Sequence, residues 1–157
     1  MSKRESTFLT HLRDSFHYHG AFFYKIPDMP HFAGMQTRFD SKKPFDVISA
    51  FRHHPIAIEA KVLRKYEAFG IRHLRDCQVD GLEDFLENGL SFVFLKIGQA
   101  PNKLEGIERL NRLLIFDWPW FRDKGVLKKD ELEKWPFIDY HLGRYEIRDW
   151  LYSVGEL

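Results

Sequence analysis

Apolar residues fall at helical spacing near the start of the chain. Phe8, Leu9, Leu12 and Phe16 mark one face of a helix predicted over residues 3–19, with Gly20 placed to end it. A short strand follows over 21–25. The segment IPDMPHFAGMQ, with two prolines and a glycine, then reads as an irregular, exposed connection. Two runs rich in Phe, Val and Ile, 45–52 and 55–63, flank the polar pair His53-His54 and predict a β-hairpin. Leu74, Val79, Leu82, Phe85 and Leu86 predict a helix over 72–88, stopped by Gly89 and weakened by Gly81. The compact apolar run LSFVFLKI at 90–97 predicts a central strand, and 112–118 supplies one more. The tail, with WPWF, KKDELEKW and YEIRDWLY, fits two short helices or irregular packing. The order α, β, β, β, α, β, β predicts one mixed α/β domain over 1–157, a central mixed sheet flanked by helices.

Composition narrows the setting. The 157 residues are 44% hydrophobic and 16% aromatic, enough for an ordinary core, and no stretch approaches the roughly 20 apolar residues of a membrane span. MSKREST carries no apolar run, so no secretory signal is expected, and the single Cys77 excludes an intrachain disulfide and thiolate-rich zinc sites. A cytoplasmic protein is the expectation. The net charge of +1 hides an imbalance: residues 1–78 carry 13 Lys/Arg against 8 Asp/Glu, and residues 79–157 carry 11 against 15. Such polarity suits a polyphosphate-binding face, and equally suits charge scattered over a solvated surface.

The candidate chemistry lies in the hairpin. With His53 and His54 as a two-residue turn, Arg52 pairs with Pro55, Ala50 with Ala57, Ile48 with Glu59, and Asp46 with Lys61. Asp46, Glu59 and Lys61 then project from one sheet face. Two carboxylates are hard ligands for Mg²⁺ or Mn²⁺, an ion that keeps waters and phosphate oxygens as its other ligands. A nearby lysine can stabilise phosphate charge or assist deprotonation of water, so the set suits phosphodiester hydrolysis. The spacing alone equally fits solvated charges on a strand. What favours a site is the sequence IAIEAKVL, in which two charges stand in an otherwise apolar segment, where they are costly unless paired or metal-bound.

These residues resemble the PD-(D/E)xK nucleases, with Pro44-Phe45-Asp46 near the first motif and Glu59-Ala60-Lys61 as the second. Phe69-x-Ile71-x-x-Leu74-x-x-Cys77-Gln78, followed by LSFVFLKI, resembles the segment after the active site in RecU-type Holliday junction resolvases. The likeness spans roughly residues 5–97. It implies a restriction-endonuclease-like core and a Mg²⁺- or Mn²⁺-dependent endonuclease. Asp46 and Glu59 match its metal-binding carboxylates, Lys61 its catalytic lysine and Gln78 a helix glutamine lining its site. Lys25 matches a lysine that would face substrate phosphate, with Lys42 and Lys43 as further backbone contacts, and Glu5 lies where related resolvases place another acidic residue. The chain departs from RecU in having Cys77 where histidine is usual and Lys42, Lys43 and Pro44 where serine and threonine are. Its connection from Pro30 to Phe45 is short, which resembles the compact archaeal-type resolvases.

Other features read as packing. His11, His17 and His19 share a helix without a zincin signature, His53-His54 reads as a turn, Cys77 as a buried thiol, and Trp118, Trp120, Phe121 and Trp135 as core or a dimer surface before base-stacking groups. The function expected is cleavage of four-way DNA junctions by a homodimer, since symmetric incision needs two active sites. A nuclease acting on duplex or flap DNA, and a DNA-binding protein without catalysis, are the alternatives.

Overall fold

The computed structural model describes residues 2–33, 36–40 and 43–157, with the backbone alone for 29–33 and 36–40. Helix α1 (Lys3–Tyr18) leads into β1 (Phe22–Lys25), the ribbon β2 (Met29–Ala33) and β3 (Gln36–Asp40), and the hairpin β4 (Val47–Phe51) and β5 (His54–Leu63). Then come β6 (Phe69–Gly70), a 3₁₀ turn (Ile71–His73), α2 (Asp76–Phe85), β7 (Leu90–Gln99) and β8 (Leu110–Asp117). The chain closes with α3 (Trp118–Lys124), β9 (Val126–Leu127), α4 (Lys129–Lys134), β10 (Ile138–His141), β11 (Arg144–Tyr145) and α5 (Arg148–Gly155). No helix among the described residues is long and apolar enough to cross a membrane.

Among the described residues seven strands form one sheet, in the order β1-β4-β5-β7-β8-β10-β11. All neighbours are antiparallel except β5 and β7, which run parallel from Ile56↔Leu90 to Leu63↔Ile97. A parallel pair needs a crossover, and α2 supplies it. Helices cover both faces of this mixed α/β sheet. Ile56, Ile58 and Ala60 of β5 pack with Phe8, Leu12 and Phe16 of α1 and Leu151 of α5. Ala57 and Leu63, on the other face, pack with Leu82 of α2 and Trp118 and Phe121 of α3. Burial on both faces is why β5 reads as a nearly unbroken apolar run.

Four expectations change. The connection after β1 contains the two-stranded ribbon β2–β3, which stands outside the main sheet; an isolated ribbon tolerates Pro30 because every strand in it is an edge. The hairpin turn is Arg52-His53, both at positive φ (46° and 70°), so Ala50 pairs with Pro55 and Ile48 with Ala57. That register is displaced by two residues from the expected one. Side chains alternate with period two, so the faces are unchanged. The helix expected over 72–88 is a 3₁₀ turn plus the shorter α2, because the chain stays extended at Leu74 and Arg75, φ −102° and −80°. The tail holds three helices, α3 to α5, together with strands β9 to β11.

Candidate active site

Asp46 stands one residue before β4, held by the ladder through its N–H to the Ile58 carbonyl and its carbonyl to the Ile26 N–H. Extending the hairpin register by one step sets it opposite Glu59. Its Oδ2 accepts from the Ala60 N–H at 2.9 Å, so the carboxylate is fastened to the backbone of β5. Glu59 Oε1 accepts from Lys61 Nζ at 3.0 Å and from Gln78 Nε2 at 2.6 Å. Gln78 Oε1 in turn accepts from the Arg75 N–H at 2.9 Å and from Lys61 Nζ at 3.4 Å. One amide therefore caps the first turn of α2 and ties that helix to the acidic strand. Gly81 brings α2 close to the loop that carries Asp46. A Cβ there would lie 2.4 Å from the Pro44 carbonyl oxygen.

Asp46, Lys61 and Gln78 border a narrow cleft of about 50 Å³, lined also by Glu5, Asp28, Lys43, Ala60 and Arg75, and Glu59 is buried behind its wall against Lys61 and Gln78. Glu5 reaches it from the first turn of α1, where its carboxylate accepts from the Ser2 N–H while Ser2 Oγ accepts from the Glu5 N–H. The structure thus brings together Asp46, Glu59, Lys61, Gln78 and Glu5 from four separate elements.

Electrostatically the cleft is unbalanced. Glu59 is 0% exposed, and burial, then the neighbouring Asp46, push its carboxyl up to about 8 against the opposing pull of Lys61 and Lys43. Its Oε2 is buried with no hydrogen-bond partner. Such an oxygen costs on the order of 1–3 kcal/mol unless a proton or a cation meets it. Lys43, 5% exposed, sits 3.0 Å from both Asp46 Oδ1 and Asp28 Oδ1. Burial opposes its charge, but the two carboxylates outweigh burial and raise its pKa, while the Lys43 hydrogen bond lowers that of Asp28.

No cluster of three or more His, Cys, Asp and Glu side chains arranged around a metal position occurs among the described residues. The donor set is two carboxylates, Asp46 and Glu59, one with a vacant buried oxygen. That set fits a hard divalent cation completed by water and phosphate, and does not fit zinc.

The three lysines expected on one DNA face are dispersed. Lys43 is inside the cleft as an ion-pair partner. Lys25 pairs with Val47 in the ladder and so projects to the α1 side, away from Asp46, beside Ser6, Thr10 and Arg13. Lys42 lies outside the described residues. The sequence does not single out Asp28 and Arg75: Asp28 lies between two prolines in a segment with loop signals, and Arg75 precedes the first helical residue of α2. The only signal was Asp28 itself, a charge fixed between Pro27 and Pro30.

The remaining candidates pack. His11 stacks on Tyr140 at 4.5 Å, and His19 lies 3.1 Å from Glu146. Trp118 is buried and donates from Nε1 to Glu83, and Trp120 packs at a tilt against Trp135 with ring centroids 4.7 Å apart. Cys77 is half-buried on α2.

No protein-family profile matches the sequence, and no curated protein matches it. Among solved structures the chain is similar to Hjc, a Holliday junction resolvase from Archaeoglobus fulgidus, an archaeal hyperthermophile. Identity is 14%, the likeness covers 74% of this chain and 75% of that one, and the TM-score is 0.47.

Proposed function

We propose that this chain is a divalent-cation-dependent endonuclease with a restriction-endonuclease-like core, acting as a homodimer on four-way DNA junctions. The observation that carries the reading is the convergence of Asp46 and Lys61 on one cleft with Glu59 buried against Lys61 behind its wall, one Glu59 carboxylate oxygen left without a partner. Asp46 and Glu59 would hold Mg²⁺ or Mn²⁺, which when bound offsets phosphate charge and acidifies a water. Lys61, already within 3.0 Å of Glu59, holds a positive charge where the attacked phosphate becomes more negative. Gln78 fixes both Glu59 and Lys61 by accepting from one and donating to the other, so neither needs to reorganise when substrate arrives. The Ala60 N–H keeps Asp46 aimed into the cleft.

The test is direct. Purified protein is incubated with labelled four-way junction, linear duplex and flap DNA, each with Mg²⁺ or with chelator. Junction cleavage that needs Mg²⁺, and that falls by on the order of a hundredfold or more in Asp46→Ala and Glu59→Ala, is expected. Equal cleavage of junction and linear duplex would reduce the protein to a general nuclease, and no cleavage of any substrate would end the proposal.

A further inference from the structure

We propose that a second, cationic groove, on the opposite side of the α1 N-terminus from Asp46, binds the sugar-phosphate backbone of a DNA arm beyond the cleavage point. The groove consists of two adjoining cavities of about 490 and 590 Å³ that share a wall formed by Arg4, Gly98, Gln99 and Ala100. Lys3, Lys96 and Arg109 line the first, Arg64, Lys65 and Lys103 the second, and neither has an aspartate or glutamate in its lining. Elsewhere Lys43, Lys61, Arg122 and Lys124 each meet a carboxylate within 3.0 Å. None of the seven groove cations has such a partner among the described residues.

Two features make this arrangement costly to the fold and so point outward to an anion. Lys3 and Arg4 occupy the first turn of α1, where the helix dipole favours acids. Lys96 is half-buried, and burial, then Arg4, hold its ammonium below the ordinary lysine value. A single small anion would occupy two or three of these cations. Seven of them along two joined cavities match a repeating charge, and each DNA strand carries one about every 3.4 Å of helix axis. The position also connects the groove to the cleft. Arg4 lines one and the adjacent Glu5 lines the other, and Val62 follows directly after Lys61 on β5. That the polyanion is DNA rests on the nuclease reading above.

The experiment compares Lys65→Gln/Lys96→Gln/Arg109→Gln with an equally neutralised variant on α4, Lys128→Gln/Lys129→Gln/Lys134→Gln. Junction binding is followed by fluorescence anisotropy in chelator over a salt series. The groove variant is expected to bind at least tenfold more weakly at low salt. Its slope of log K against log salt should be shallower by roughly 2 to 3, at about 0.9 per lost phosphate contact. The α4 variant should stay within about twofold, a margin worth only about 0.4 kcal/mol. Arg64→Gln/Lys65→Gln, on exposed positions after β5, repeats the measurement without touching half-buried Lys96. Hydrolysis of thymidine 5′-p-nitrophenyl phosphate with Mg²⁺, a substrate too small to reach the groove, should be unchanged in all three variants. Wild-type affinity and slope in both groove variants would overturn the groove. A groove-dependent slope in a protein that hydrolyses no phosphodiester would leave the groove standing and remove the nuclease reading.

Discussion

Replacing Glu59 with Gln separates the cost of this carboxylate to the fold from its use. In the metal-free protein the folded carboxyl titrates at about 8, against 4.5 for an ordinary glutamate. Between those values the folded state keeps a proton that the unfolded chain has released. The stability contributed by the protonated group is fully present below about pH 4.5, declines as pH rises, and is lost above about pH 8. At 1.36 kcal/mol per unit, the interval from 4.5 to pH 7 is worth about 3 kcal/mol. Gln carries no such linkage. Its amide oxygen can still accept from Lys61 and Gln78, while its NH₂ takes the position of the unpartnered Oε2. For a chain of this size the gain corresponds to a rise in Tm of roughly 6–12 °C. Thermal melts in chelator at pH 5.5, 7 and 8.5 read it, and the gap between Glu59→Gln and wild type should widen with pH. Mg²⁺ should raise the wild-type Tm at pH 8.5 and leave the variant unmoved. A gap that is absent at pH 8.5, or that narrows with pH, would refute the assignment of Glu59 as a buried, cation-seeking acid.

Further outcomes follow from the same contacts. Lys61→Met should lower junction cleavage by on the order of a hundredfold while Kd for the junction, measured without metal, changes little, because phosphate contacts elsewhere dominate affinity. His53→Gly should stabilise the fold by about 0.4–1 kcal/mol in denaturant melts, since His53 sits at φ 70° and Arg52 keeps its stack 4.2 Å over Tyr152. Gly81→Ala should destabilise by about 1–3 kcal/mol despite alanine's better helix propensity, because its Cβ would overlap the Pro44 backbone. The same variant should weaken Mg²⁺ binding in calorimetry by displacing the loop before Asp46.

The parts of the fold legible in the sequence are those with strong periodicity. α1, the hairpin β4–β5 and the central β7 announce themselves through Phe8, Leu12 and Phe16, through IAIEAKVL and through LSFVFLKI. The common face of Asp46, Glu59 and Lys61 is legible although the turn falls one residue earlier than the spacing predicts, because a register shift of two residues leaves every side chain on its own face. The ribbon β2–β3 is hidden in the sequence because Pro30 within it, and Pro27 and Gly34 beside it, are loop signals. Lys43 is the instructive miss. Next to Lys42 it reads as a second contact to the DNA backbone, yet its position three residues before Asp46 turns it inward onto two carboxylates, a tertiary outcome that local pattern does not encode. Asp28 could be seen as part of the site only once that ion pair was known.

Two residues at the third helical position of their helices, Glu5 in α1 and Gln78 in α2, border the same cleft while each satisfies the backbone N–H of its own N-cap. Their chemistry gives the two helices different obligations. Gln78 is neutral at every physiological pH, so α2 stays anchored to β5 whether the cleft holds a proton, a cation or a phosphodiester. Glu5 holds the Ser2 N–H through Oε2, so a cation that draws this carboxylate toward itself pulls on the first turn of the helix that also carries Lys3 and Arg4. Charge arriving in the cleft is therefore absorbed on the α1 side and resisted on the α2 side. The molecule has a fixed jaw and a yielding one, and the yielding jaw is the one that faces the cationic groove.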